Sequence, residues 1–247
     1  MKKQTIYYTC LIAFVVLYLT ACKKDGPLPN NPLNGRTTAV FNPDKSYGKM
    51  TDFDGNQYKT IKIGTQTWMA ENLRVTHYQN GVAIPNITDN EEWAALTTGA
   101  YCNYNNTNSL DTIATYGRLY NWYAVADMQN LAPEGWRVPR IADWLELIEY
   151  LGGDTIASKH LKETGTTHWE GPAESDNSSG FTAISNGSRY LAEDYSYIGI
   201  YNLFWTASGY NEDSAGFLFL FSWDAIVYKG LNYKQNGYTV RLIKETN

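Results

Sequence analysis

Cysteine, histidine and basic clusters are scarce in this chain, which carries three cysteines, three histidines and a formal net charge of −5 over 247 residues. Each shortage removes a class of function. An acidic chain without a basic patch argues against nucleic acid as a partner. No Gly-x-Ser-x-Gly elbow and no His-Glu-x-x-His string occurs, so the signatures of α/β-hydrolases and zincins are absent. Beside His77, His160 lies in a charged stretch and His168 next to Trp169, where surface or packing roles are expected rather than general-base chemistry. Long apolar runs are missing too. Ile6 to Leu19 falls short of the roughly 20 residues that a spanning helix needs, and Lys23-Lys24-Asp25 ends it abruptly.

That short run has a different meaning. Lys2 and Lys3 precede it and the small pair Thr20-Ala21 follows, which is the layout of a secretory signal. Leu19-Thr20-Ala21-Cys22 resembles the lipobox of bacterial lipoproteins, which implies cleavage after Ala21 and acylation of Cys22. The expected organisation is a signal peptide over 1–21, a lipid-anchored flexible linker over 22–49 and one domain over 50–247. Pro27, Pro29 and Pro32, set among Asn30, Asn31, Asn34 and Gly35, support the linker. Two or more acyl chains hold a protein stably on a bilayer, so the outer membrane is the expected location and the membrane the first partner, with display at the cell surface left open. Cys10 leaves with the leader and Cys22 takes the lipid. The domain then keeps only Cys102, and neither an internal disulfide nor a cysteine zinc site is available to it.

What the chain has in plenty is aromatic: twenty tyrosines and eight tryptophans, with twenty glycines. This reads as a loop-rich domain with a core built from large rings. Thr51 to Tyr58 reads as strand, Asp-Gly turn, strand. Asp89 is placed to cap a short helix to Leu96, and Asn121 to Met128 suits another. The clearest helix is Arg140 to Leu151, where Ile141, Trp144, Leu145, Ile148 and Leu151 recur at helical spacing. Gly152-Gly153 ends it, and Asp154 caps a further helix to about Glu163. From Gly180 the pattern turns to strands, over 181–184, 203–207, 216–221, 226–228 and 238–244.

Candidate chemistry is thin. Asp52-x-Asp54-Gly55-Asn56 looks like the start of a calcium loop, but the twelfth position is Ile63 rather than a glutamate, which favours a hairpin turn. Glu71, Asp127, Glu146 and Asp194 are the acids open to a carboxylate-pair hydrolase, and nothing in the sequence brings two of them together. The strongest hint is the crowding of Tyr190, Tyr195, Tyr197, Tyr201 and Tyr210 with Arg189, Glu193 and Asp194. Flat rings beside polar groups suit carbohydrate or peptide recognition, although the same rings also serve to pack a loop-rich domain. The candidate ligand-binding set is Arg189, Tyr190, Asp194, Tyr195, Tyr197 and Tyr201.

A series of strings agrees in order with one family. They are Asp52-Phe53-Asp54-Gly55-Asn56, Trp68-Met69-Ala70-Glu71-Asn72-Leu73, Ala100-Tyr101-Cys102-Asn103-Tyr104, Tyr116-Gly117-Arg118-Leu119-Tyr120-Asn121-Trp122, Pro133-Glu134-Gly135-Trp136-Arg137-Val138-Pro139, Gly180-Phe181-Thr182-Ala183, Trp205-Thr206-Ala207-Ser208 and Val240-Arg241. Over about residues 50–245 the chain resembles the Fibrobacter succinogenes major paralogous domain of bacterial lipoproteins. That family is in turn similar to the C-type lectin-like group, which implies an α+β domain with two helices packed on a small twisted antiparallel sheet and long irregular loops. The resemblance also implies that Trp68, Trp122, Trp136, Trp144 and Trp205 belong to the core. It implies a disulfide between the positions held here by Ala132 and Leu242, so that an apolar contact is expected in its place. The expected function is a non-enzymatic module binding an extracellular glycan or an envelope protein without a cofactor. A carboxylate-pair enzyme and a structural envelope protein stay open. So does calcium, for which Asn211-Glu212-Asp213 is the nearest substitute for the lectin strings.

Overall fold

The computed structural model describes residues 31–171, 174–191 and 195–246. The leader, Cys22 and Asp194 therefore lie outside the described residues. The first sheet opens with the expected hairpin: β1 (Gly48–Thr51) pairs with β2 (Gln57–Ile63), Met50 opposite Tyr58. Asp52 holds the turn, its carboxylate accepting from the Asn56 N–H at 2.9 Å, the Asn56 amide at 2.8 Å and the Tyr58 hydroxyl at 2.5 Å. A second turn at Gly64, with φ of +59°, leads to β3 (Gln66–Met69). The short β6 (Trp136–Arg137) and β12 (Ile243–Lys244) complete the order β1-β2-β3-β12-β6. Two ribbons, β4 (Tyr101–Cys102) with β5 (Leu119–Tyr120) and β7 (Ser188–Arg189) with β8 (Tyr195–Ser196), flank it. The longest strands form a meander of β9 (Tyr201–Gly209), β10 (Ser214–Phe221) and β11 (Val227–Tyr233), ordered β11-β10-β9.

The helices are short. Asp89, Ser109 and Asn121 accept from the first-turn N–H groups of α1 (Asn90–Ala94), α2 (Leu110–Tyr116) and α3 (Trp122–Ala126), as residues of their type do. Among the described residues only α4 (Ile141–Tyr150) passes two turns. Its buried stripe is Trp144, Leu147 and Ile148. Leu145, counted into the stripe on spacing, is exposed because it sits a full 100° of helix rotation beyond Trp144.

The expectation of two helices packed on a small sheet is overturned. The second helix, α5 (Ala157–Leu161), has five residues, and the molecule is mostly antiparallel sheet and loop. Asp154 does not cap it; its carboxylate takes the Lys229 ammonium at 2.5 Å instead. The chain leaves the helix at Lys162, whose side chain turns into the protein, so no second helical layer forms. Two expected strands also dissolve. Residues 181–184 make only a single bridge, Lys162 with Ala183, because Thr182 stands at a φ of +56°. Of 238–244 only the last two residues are regular, and Tyr238 and Thr239 make isolated bridges to Tyr120 and Phe204.

Residues 31–47, assigned to a solvated linker on composition, run along the domain with fixed partners. Asn31 donates to the Asp54 carbonyl at 3.0 Å, Thr38 to Thr115 Oγ1 at 3.0 Å, and the Val40 N–H to the Glu163 carboxylate. Glu163 is fully buried and also binds His168 Nδ1 at 2.7 Å, so His168 is a packing histidine.

Alternation along the meander feeds two cores at once. Leu203, Trp205 and Phe217 face one cluster with Met69, Tyr238 and Val240, while Phe204, Leu218 and Leu220 face another with Trp68, Trp144 and Phe181. Trp68, Trp144 and Trp205 are core as expected, whereas Trp122 and Trp136 are only partly buried against it. Ala132 and Leu242 are both fully buried in the first cluster.

Irregular backbone at this depth leaves carbonyls without ladder partners, and buried cations supply the donors. Arg241 is buried and donates from Nε to Asn72 Oδ1 at 2.9 Å, from Nη1 to the Phe181 carbonyl, and from Nη2 to the Thr182 carbonyl at 2.8 Å. Arg74 reaches the Gln57 and Ala114 carbonyls, and Lys162 those of Phe221 and Asp224. Lysine at position 241 keeps the charge but not the planar fork. Arg241→Lys is expected to lower unfolding stability by about 3 kcal/mol, read from the urea midpoint. Burial brings the Lys162 ammonium down from 10.5 to about 8. The unfolded chain holds the extra proton between those values, so stability rises as pH climbs from 8 toward 10, by about 3 kcal/mol in all. In Lys162→Met that slope disappears from denaturation curves taken at successive pH values.

Candidate ligand-binding site

The meander lays its rings in a row on one face. Phe217 and Phe219 are near-parallel with centroids 5.9 Å apart, and Phe219 stacks on Tyr228 across the strand pair at 4.7 Å. Tyr201 stacks on Phe221 at 5.0 Å. Against this face the loops bring Tyr190 and Tyr197, closing a cleft of about 220 Å³ lined by Tyr190, Tyr197, Tyr201, Leu203, Phe217 and Phe219. Leu203 and Phe217 are buried and make the floor; Tyr190 and Tyr201 are half-buried walls. Tyr197 is the rim, 47% exposed, its ring edge-on to Tyr201 at 5.2 Å and to Tyr190 at 6.1 Å.

Tyr197 stands at a φ of +67°, a region that bulky side chains avoid at a cost of about 1–3 kcal/mol. Its carbonyl accepts from the Ile200 and Tyr201 N–H groups, both at 3.0 Å, so the turn fixes that geometry. Burial pushes the Tyr190 phenol up. A phenol hydroxyl both donates and accepts, and the described lining contains no carboxylate, imidazole or thiol. The volume lies below the roughly 300–1,000 Å³ of sites that enclose a drug-sized molecule, so it suits one ring of a larger ligand.

Of the six residues expected to bind ligand, three line the cleft: Tyr190, Tyr197 and Tyr201. Arg189 does not. It is fully buried, donating to the carbonyls of Ile87 at 2.7 Å, Thr88 at 3.1 Å and Asp89 at 2.9 Å, with its guanidinium 4.5 Å from the Trp93 ring. Tyr195 points away too, its hydroxyl donating to Asn106 Oδ1 at 2.6 Å and its ring against Tyr104. The floor residues Leu203, Phe217 and Phe219 escaped sequence reasoning. The signal was the alternation Phe217, Phe219, Phe221, which places three rings on one face of a strand.

Other polar clusters are self-satisfied. Asp54 accepts from His77 Nδ1 at 2.6 Å and from the Thr76 N–H and hydroxyl, so both acids of the calcium-like string serve protein donors. Ser178, His160 and Asp176 look like a catalytic triad, yet serine and carboxylate both address His160 Nδ1, at 2.8 and 3.1 Å. A relay needs them on opposite ring nitrogens. Glu71 is buried beside Arg74, and Glu146 accepts from Thr65. Among the described residues no group of three metal-ligating side chains is gathered.

A family model, the Fibrobacter succinogenes major domain, matches residues 61–244. No curated protein and no solved structure matches the chain.

Rim and buried support separate by substitution. Tyr197→Asn suits the left-handed backbone and is expected to leave stability within about 1 kcal/mol of the parent. Arg189→Met strands three buried carbonyls and is expected to lose about 3 kcal/mol or more. Paired denaturation curves check both.

Proposed function

The chain belongs to the Fibrobacter succinogenes major domain family, and from that premise we propose that it is a non-enzymatic binding module, lipid-anchored at Cys22 in the outer membrane, that takes one ring of an extracellular glycan into the aromatic cleft. The observation carrying this reading is Tyr197: an exposed ring held in a costly backbone conformation at the mouth of a cleft walled by two further tyrosines. Ring faces suit the apolar face of a sugar, and phenol hydroxyls suit its hydroxyl groups. Strain of this kind persists where the position of a side chain matters. The described lining holds no carboxylate pair of the kind that glycoside hydrolysis uses, which favours binding in this cleft. An envelope protein offering an aromatic side chain to the same cleft is the second reading.

Screening the chain without its leader against immobilised glycans tests the proposal. Saturable binding is expected for at least one class of polysaccharide, weakened tenfold or more, about 1.4 kcal/mol, in Tyr197→Asn. Binding that this substitution leaves unchanged refutes the cleft, and binding to envelope proteins alone favours the second reading.

A further inference from the structure

The described chain begins at Asn31, and Asn31 is pinned to the tip of the β1–β2 hairpin through the Asp54 carbonyl and Asn56 Oδ1, both at 3.0 Å. Asn34 adds a bond to the Gly55 carbonyl at 3.0 Å. Residues 23–30 separate Asn31 from Cys22, so covalent geometry limits the distance between Asn31 and the lipidated residue to about 32 Å even at full extension. A head of roughly 200 residues is about 40 Å across. Turning the hairpin tip away from the bilayer needs a path around half the head, about 60 Å. The tether is too short for that, so the hairpin tip is kept off the far side of the head and stays within reach of the membrane.

That side carries exposed apolar side chains on three adjoining loops. Phe53 on the hairpin tip is 46% exposed, Val82 47% and Met128 fully exposed. The loops are knit together. Gly81 lies so close to Phe53 that a Cβ there would stand 3.0 Å from its ring, the Asn80 amide donates to Gln129 at 2.9 Å, and the Gln79 N–H donates to the Asn130 carbonyl at 2.8 Å. Between residues 78 and 83 and between 128 and 130 there is no charged side chain. Acids adjoin these loops but are engaged: Asp54 accepts from Thr76 and His77, and Asp127, next to Met128, accepts from the Gln129 N–H at 2.8 Å and from the Tyr78 hydroxyl. Loop tips that end in Phe, Val and Met, with the flanking carboxylates of Asp52, Asp54 and Asp127 turned to protein donors, suit the boundary between headgroups and acyl chains.

We infer that Phe53, Val82 and Met128 form a second membrane contact, dipping into the leaflet that holds the lipid and fixing the orientation of the head. This rests on the lipid tether of the proposed function, though not on the cleft or its ligand.

The test uses the acylated full-length protein in phosphatidylethanolamine–phosphatidylglycerol vesicles, with a nitroxide label at Val82→Cys, Met128→Cys or, as a control, Tyr210→Cys, which replaces a side chain 70% exposed. Cys102 is buried, so the parent takes no label when Cys22 is acylated. Labels at 82 and 128 are expected to relax several-fold more with oxygen, relative to a water-soluble nickel chelate, than the label at 210. Equal accessibility at all three sites, on protein that remains bound to vesicles, overturns the contact. So does protection that appears only at high protein density, which points to a second copy as the occupant. Labelling of the parent at Cys22 reveals a free thiol; it removes the tether and the inference with it, and separates that failure from failure of the contact.

Discussion

Everything in this domain depends on satisfying backbone that has left the regular ladders. Long stretches between the short strands run through the interior, and each buried carbonyl there needs a donor. Arg74, Arg189, Arg241 and Lys162 provide donors in number from fully buried positions. Arg189 alone closes three carbonyls of the segment that leads into α1. Arg241 joins Asn72, just past β3, to the 181–182 turn. Burying a guanidinium is costly by itself, but aromatic faces at 4.3–4.5 Å lie against Arg74, Arg189 and Arg241 and return part of that cost. The abundance of rings and the choice of arginine are thus one adaptation to a loop-rich fold.

The same constraint decides what was legible in the sequence. Local rules worked. The Asp-Gly hairpin, the caps at Asp89 and Asn121 and the period of α4 depend on residues within a few positions of one another, and all appear close to where their patterns place them. The fold class was not legible: the two-helix plan came with the lectin-like resemblance, and the second helix read from Asp154 is cut short where Lys162 reaches partners about sixty residues away. The site was half legible. Tyrosine crowding marked the segment that supplies three rings to the cleft, but nothing local distinguishes Tyr197, which faces outward, from Arg189, whose partners lie a hundred residues earlier. Beyond Asn31 the composition that suggests a solvated linker hides fixed partners: the Asn31 amide donates to the Asp54 carbonyl and the Asn42 amide to the Asn177 carbonyl.

Ala132 and Leu242, the positions at which the resemblance implied a disulfide, are held here by packing. Ala132 and Leu242 sit in one core cluster with Met69 and Val240. The Met69 N–H donates to the Leu242 carbonyl at 2.9 Å, tying the C-terminal segment to the first sheet through backbone. A bridge acts largely on the unfolded chain, whereas these contacts act on the folded one. The C-terminal segment is therefore held in this chain by burial and by Arg241 rather than by restriction of its unfolded states.

The cleft draws on both parts of this arrangement. Its floor is the meander, where Phe217 sits on the central strand β10 and Leu203 on β9 beside it, both buried and with little room to adapt. Its rim is the turn at 197–200, and that turn is over-determined. Ser185 Oγ donates to the Tyr201 carbonyl at 2.8 Å, and the Glu170 N–H to the Gly199 carbonyl at 2.7 Å. Gly199, at a φ of +87°, has Glu170 where a side chain would go. With so many bonds fixing the turn, asparagine or glycine at 197 would meet the same backbone at lower cost. Packing does not require a tyrosine there, since its ring is half in solvent. A large ring at that position is best understood by what it stands over: a walled, uncharged cleft of the size of a single ring.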